Sequence, residues 1–501
     1  MSQKSFVCIH GHWYQPPREN PFTGVVGPQP SAAPFDNWNE RITVECYAPN
    51  THAEILGEDG SVRRRINTFE YVSSDWGPTL LHWLKEHQQE TYQAIVAADR
   101  ASMARLDGHG TAVAHTYNHT ILPLSNRRDK RTQILWGKAD FEYRFGRRPE
   151  GMWLPETAVD LESLELMVDA GIDYTILSPY QAASVLDSGE WIDVVGGRID
   201  TRVPYRVQLF GGKEIAVFFY NGPLSQEIAF NGVLEDGSIL AKRLVQALGE
   251  PGDEPHLSHV ATDGETYGHH HRHGEMALAK AIEDLESDPG VELTTYGRFL
   301  TDNPPTRIAR IIEATSWSCA HGVDRWRADC GCHTGRYPEW NQQWRKHLRD
   351  ALDYLRDESI EGFESIGATV LEQPWNARDH YIEVILGGSP DEFLSTHGWP
   401  DLSAERRTLA LNLLEIQHRA MLMYTSCGWF FDDISGLESV FVLRQAGRVI
   451  DLTRHALGKD LEPGFLQILE RAESNIGHHD GRFVYEDAVR PFMKTTPDDV
   501  G

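Results

Sequence analysis

The sequence predicts an α/β fold over residues 1–305, with parallel strands joined by crossover helices, followed by an α-helical domain over residues 306–501. Three observations predict it. Short apolar runs alternate with amphipathic tracts up to about residue 300, the pattern of strand–helix crossovers. Beyond about residue 305, long tracts carry apolar residues at three- and four-residue spacing, the period of a helix face. Polar blocks rich in His, Asp and Glu each follow the end of a strand candidate, where barrels and doubly wound sheets gather their sites.

Taken in order, the strand candidates are 5–9 (SFVCI), 111–115 (TAVAH), 151–155 (GMWLP), 173–177 (DYTIL), 214–220 (EIAVFFY) and 259–262 (HVAT). Amphipathic tracts at 79–99, 160–171 and 238–249 supply the crossover helices. The helical domain is expected from 340–363, 403–426 and 437–458, with the joint after Pro304-Pro305-Thr306. No internal repeat or low-complexity tract interrupts this order.

A chain of 501 residues exceeds one hydrophobic core, so two or three domains are expected. A formal net charge of −27 argues against nucleic acid or an anionic membrane surface as partner. No run of 18 apolar residues is present and no basic cap precedes a long apolar segment at the N-terminus. Six cysteines make no disulfide scaffold in a chain this long, so a cytoplasmic protein is expected. The closing Asp-Asp-Val-Gly carries no cap, which leaves room for a longer natural protein. The 14 Trp and 17 Tyr fit either large cores or platforms for sugar rings, whose C–H faces stack on aromatics.

Glu156 and Asp263 are the candidate catalytic pair. Glycosidic cleavage with retention needs two carboxylates about 5–5.5 Å apart. Glu156 follows Trp153-Leu154-Pro155, an aromatic and a rigid turn at a strand end. Asp263 precedes Gly264-Glu265-Thr266-Tyr267-Gly268, where glycines allow close backbone approach to a ligand. Alone, either carboxylate reads as a cap or ion-pair partner, Glu156 as a cap for the helix near Asp160.

Together the blocks resemble the ordered sequence regions of glycoside hydrolase family 57, an amylase-type family with a seven-stranded (β/α) barrel. HGHWYQPP (10–17) resembles the first region, with Trp13 and Tyr14 inserted before Gln15. AHTYNHTILPL (114–124) resembles the second, WLPE (153–156) the third, ATDGETYGHH (261–270) the fourth and MLMYTSCGWFFDD (421–433) the fifth. The resemblance implies Glu156 as nucleophile and Asp263 as acid/base, acting on an oligo- or polysaccharide of the α-glucan class by hydrolysis or transfer. It also implies sugar contacts from His10, His12, His119, Trp153 and, out of the helical domain, Trp429. No cofactor and no catalytic metal are implied.

A rival reading starts from His115-Thr-Tyr-Asn-His119, which resembles the metal block of carbohydrate deacetylases on a related barrel. That family expects an Asp pair after the first strand, where this chain has His10-Gly11-His12. A glycan-binding protein without activity is the third reading; the presence of both carboxylates argues against it. Cys319, His321, Cys330, Cys332 and His333 crowd one segment, read either as a zinc or iron–sulfur site or as a loop of reduced thiols. Cys-x-Cys with one distant Cys lacks the paired Cys-x-x-Cys of most zinc folds. Trp317 and Trp326 beside it read as acceptor-subsite aromatics. His269-His270-His271 reads as local polarity whose protonation favours the Asp263 carboxylate.

Overall fold

A computed structural model describes residues 5–250 and 254–493, so the closing Asp-Asp-Val-Gly lies outside the described residues. The chain divides into two compact units. One comprises residues 1–15, 28–116 and 141–317, the other 16–27, 117–140 and 318–501.

The first unit is built on seven strands: β1 (Ser5–Trp13), β2 (Ser73–Trp76), β3 (Ala112–His115), β4 (Met152–Trp153), β5 (Tyr174–Leu177), β6 (Glu214–Phe219) and β7 (Leu257–Asp263). Parallel ladders run in the order β7-β1-β2-β3-β4. A parallel bridge from Gly151 to Tyr174 carries the sheet on to β5, which pairs in parallel with β6. These strands are buried along almost their whole length, as expected of parallel strands covered on both faces. Their core includes Cys8, Val113, Trp153, Ile176, Phe218, Leu257 and Tyr296.

Six of the seven strands coincide with apolar runs; β2 does not, because Ser73-Ser74-Asp75-Trp76 has no such run. The sequence reading also passed over four strands that extend the sheet beyond β6: Ala182–Asp187, Glu190–Asp193, Tyr205–Gln208 and Arg307–Ile311. The tract at 79–99 forms two helices, Pro78–His87 and Gln89–Arg105, broken at Gln88 where the backbone leaves helical geometry (φ −138°, ψ 57°). Helix Leu161–Asp169 is capped by Asp160, whose side chain accepts from Ser163 N–H at 2.8 Å. That cap leaves Glu156 out of the role.

In the second unit, α1 (Trp344–Val370), α2 (Ala404–Leu422) and α3 (Leu437–Leu457) follow the three predicted tracts. Ser403 caps α2, and Gly458 ends α3 in the left-handed region (φ 65°) that favours glycine. The division is not the single cut near residue 305. Segment 117–140 belongs with the helical unit because Trp136, fully buried, donates its indole N–H to the carbonyls of Arg378 and Asp379. Tyr117 meets Trp136 edge-on, and Arg378 pairs with Asp129 at 2.6 Å. Arg18 likewise ties segment 16–27 to Glu438 at 3.6 Å. Among the described residues no helix is long and apolar enough to cross a membrane.

Candidate active site

The site of the first unit starts from strand periodicity. His10 and His12 are two residues apart on β1 and so share a face. Across the β1–β2 ladder, His10 lies opposite Ser73 and His12 opposite Asp75. Asp75, fully buried, accepts from His10 Nε2 at 3.0 Å through one oxygen and from His12 Nδ1 at 2.7 Å through the other. With its proton on Nε2, His10 accepts from the Ser73 hydroxyl at Nδ1, at 2.9 Å. Both ring nitrogens of His10 are thus engaged inside the protein.

These contacts set the charges. Burial alone would raise the Asp75 pKa, but the His12 charge and the hydrogen bonds from both histidines bring it down to about 2. Burial opposes charge on His12 too, yet Asp75 overcomes it with help from Asp263 and Glu265, and the pKa rises to about 9. His12 and Asp75 therefore form a buried ion pair. For His10 and His115 burial outweighs the support from Asp75 and lowers both, His115 to about 4.

Asp263 ends β7 directly opposite His12 in the β1–β7 ladder. Its carboxyl is open to solvent, but the protein packed around it disfavours the charged form and raises its pKa. The His12 charge opposes that rise and the Asp75 charge adds to it. Glu265 is buried, accepts from the Tyr47 hydroxyl at 2.5 Å, and is raised to about 7, chiefly by burial. Gly264 is required by packing: a Cβ there would stand 2.2 Å from the Trp13 ring. The close approach expected at this glycine is to Trp13 rather than to a ligand.

Glu156 follows β4 in the left-handed region (φ 57°, ψ 21°), and Thr157 after it also has positive φ (50°). For a non-glycine residue that geometry costs on the order of 1–3 kcal/mol and persists only where neighbours enforce it. Trp317 is one enforcer. Its backbone N–H donates to the Glu156 carbonyl at 3.0 Å and its indole N–H to Glu156 Oε2, also at 3.0 Å.

The rings connect the two carboxylates. Trp317 meets Trp153 edge-on at 5.1 Å, and Trp153 stacks on His10 at 4.9 Å and on His12 at 5.2 Å. The carboxyl ends of β1, β4 and β7 are thereby drawn into one cluster holding Glu156, Trp317, Trp153, His10, His12, Asp75 and Asp263. Asp75 is the member that sequence reasoning missed.

Other expected site residues have partners of their own. His119, in the second unit, is buried with positive φ (55°) and hydrogen-bonds Ser426 Oγ through Nδ1 at 2.6 Å. The second and fifth sequence blocks meet there, since Ser426 N–H also donates to the His119 carbonyl. Trp429 is fully buried, donates its indole N–H to the Arg345 carbonyl at 3.1 Å and lies parallel to Tyr424. Trp326 is fully buried as well, its carbonyl accepting from Arg349 Nε at 2.9 Å. Both tryptophans have the surroundings of core residues. His269 and His271 go to separate partners, Glu45 and the Ala229 carbonyl, so the cation beside Asp263 is His12 and not this tract.

Residues 39–313 match the family pattern of glycosyl hydrolase family 57, and residues 340–500 match a domain of unknown function, DUF3536. An α-amylase of Pyrococcus horikoshii is 24% identical over 249 residues, 48% of this chain and 36% of that protein. The chain thus spans little more than a third of that curated relative. A maltose-forming exo-type amylase from Pyrococcus sp. ST04 shares the fold with a TM-score of 0.69 at 15% identity, covering 97% of this chain and 88% of its own. A GH57-type branching enzyme from Pyrococcus horikoshii has a TM-score of 0.56 at 14% identity, covering 99% and 97%. At such identities the likeness to these two structures is one of fold.

Proposed function

Because the chain belongs to glycosyl hydrolase family 57, we propose that it is a retaining α-glucan hydrolase or glucanotransferase with Glu156 as nucleophile and Asp263 as acid/base. The observation that carries this reading is the pair of carboxylates at the carboxyl ends of β4 and β7 in one parallel sheet. Glu156 accepts an indole N–H from Trp317, which fixes its orientation, while Asp263 is held towards its protonated form. In the first step Glu156 attacks the anomeric carbon, and Asp263 gives its proton to the departing glycosidic oxygen. In the second, Asp263 takes a proton from water or an acceptor hydroxyl, whose oxygen displaces Glu156 from the same carbon.

Within this scheme the charged His12 stabilises the Asp263 carboxylate between the two steps. His10, with both nitrogens engaged, and Trp153, fully buried, are positioning residues that hold Asp75 and His12. His119 keeps its proposed sugar contact on the strength of the sequence block alone. We also propose that the seven strands close into a barrel between β6 and β7. The hydrogen bond from Asn221 N–H, just beyond β6, to the His259 carbonyl of β7 at 2.9 Å supports closure. The α-glucan class rests on the relatives' names and the family. Incubation with maltoheptaose, amylose and pullulan should yield new saccharides of retained α-configuration; inverted products, or acetate from an acetylated glycan as the sole product, would overturn the reading.

A further inference from the structure

Outside the catalytic cluster, Cys319, His321, Cys330 and Cys332 of the second unit present four ligand atoms all within 4.8 Å of one another. We propose that these four side chains bind one structural zinc ion. The spacings carry the proposal. A tetrahedral zinc with Zn–S of about 2.3 Å and Zn–N of about 2.0–2.1 Å sets S···S edges of about 3.8 Å and S···N edges of about 3.6 Å. Cys319 Sγ stands 3.9 Å from Cys330 Sγ and 3.8 Å from Cys332 Sγ, and Cys332 Sγ stands 3.6 Å from His321 Nδ1. Three thiols cannot all pair as disulfides, and packing alone gives no reason for three sulfurs and an imidazole nitrogen to converge on one point.

The sequence spacing becomes intelligible in this geometry. Cys319-Ala320-His321 and Cys330-Gly331-Cys332 are two arms that each offer a pair of ligands one residue apart. The second arm turns at Gly331 (φ 75°), and the Cys332 N–H lies 3.5 Å from Cys330 Sγ, a hydrogen bond that orients a thiolate. His333 is excluded from the set because its Nδ1 accepts from Gly335 N–H at 2.9 Å.

Charge supports the same assignment. One Zn²⁺ with three thiolates and a neutral imidazole carries a net charge of −1. Arg345, at the start of α1 and fully buried, places Nη1 3.9 Å from Cys330 Sγ and donates to the Cys332 carbonyl at 2.9 Å. Its guanidinium neutralises the site and ties the second arm to the helix. Four ligands this close leave room for one ion and not for a two-iron cluster, whose ligand pairs stand on separate metals.

Elemental analysis of the full-length protein, purified with zinc present and then dialysed, should find one zinc per chain. X-ray absorption should give three sulfurs and one nitrogen at the distances above. The double variant Cys330→Ser/Cys332→Ser should lose the metal, while Cys427→Ser should keep it. Should the double variant fail to fold, cobalt titrated into chelator-treated wild-type protein gives an independent answer. A tetrahedral cobalt–thiolate spectrum saturating at one equivalent, with recovery of a melting temperature lowered by chelation, is expected. A spectrum without thiolate bands, an iron–sulfur chromophore, or no metal uptake would overturn the proposal.

Discussion

Asp75 faces His12 across the β1–β2 ladder, and its carboxylate holds the buried imidazole in its charged form against the cost of burial. In Asp75→Asn that support is gone, and His12 should fall towards the behaviour of His115, which burial holds at about 4. Losing one partner of a buried ion pair should cost about 3–5 kcal/mol of stability. The alkaline limb of the pH–rate profile should move to lower pH. A variant with native stability and an unmoved limb would show that Asp75 does not govern His12.

The same pair predicts a pH window for stability. His12 is raised to about 9, so its contribution is complete below its ordinary value near 6.5 and is lost as pH rises through about 9. Asp75 is lowered to about 2, so its contribution is present above its ordinary value near 3.8 and is lost as pH falls through about 2. Urea unfolding of the wild-type protein should show declining stability between about pH 6.5 and 9, a decline reduced in Asp75→Asn.

For Asp263, raised by the protein around it, Asp263→Asn should damage poor leaving groups far more than activated aryl glycosides. Equal loss on both substrate types would make Asp263 a sugar-binding group instead of a proton donor.

Trp317→Phe keeps most of the ring packing against Trp153 but removes the indole donor to Glu156. A hydrogen bond to a charged group contributes about 1.5–3 kcal/mol, so kcat should fall by roughly 10- to 100-fold with little change in melting temperature. Unchanged kcat would mean that the N–H does not act on the reacting carboxylate.

Trp429→Ala separates a core residue from a sugar platform. Its complete burial and the bond to the Arg345 carbonyl predict a loss of about 3–5 kcal/mol in unfolding free energy, with KM unchanged in protein that remains folded. A raised KM at native stability would restore the platform role that the sequence block suggested.

Much of this was legible in the chain. Apolar runs marked six strands, and the polar blocks behind them contained Glu156, Asp263, His10 and His12. Asp75 was hidden because Ser73-Ser74-Asp75-Trp76 looks like a turn; its burial comes from pairing with a strand some sixty residues earlier. One missed hairpin did carry a signal, since Ser188-Gly189 joins Ala182–Asp187 to Glu190–Asp193 with both residues at positive φ. Helix Arg127–Phe145 was not among the amphipathic tracts, because its apolar residues form no clear stripe, and the partners of Trp136 decide which core it joins. The cysteine arms were visible as composition, whereas their convergence on one point is a property of the fold.

The central claim is that Glu156 forms a covalent glycosyl-enzyme. Glu156→Ala empties the space beside Trp317 and should reduce turnover of an activated α-glucosyl substrate to background. Added azide should then restore turnover and give a β-glucosyl azide, inverted relative to the substrate, which identifies the missing group as the one that bonds to the anomeric carbon. The account predicts rescue by azide in Glu156→Ala and none in Asp263→Ala through that same face. Near-wild-type activity in Glu156→Ala without azide would contradict it.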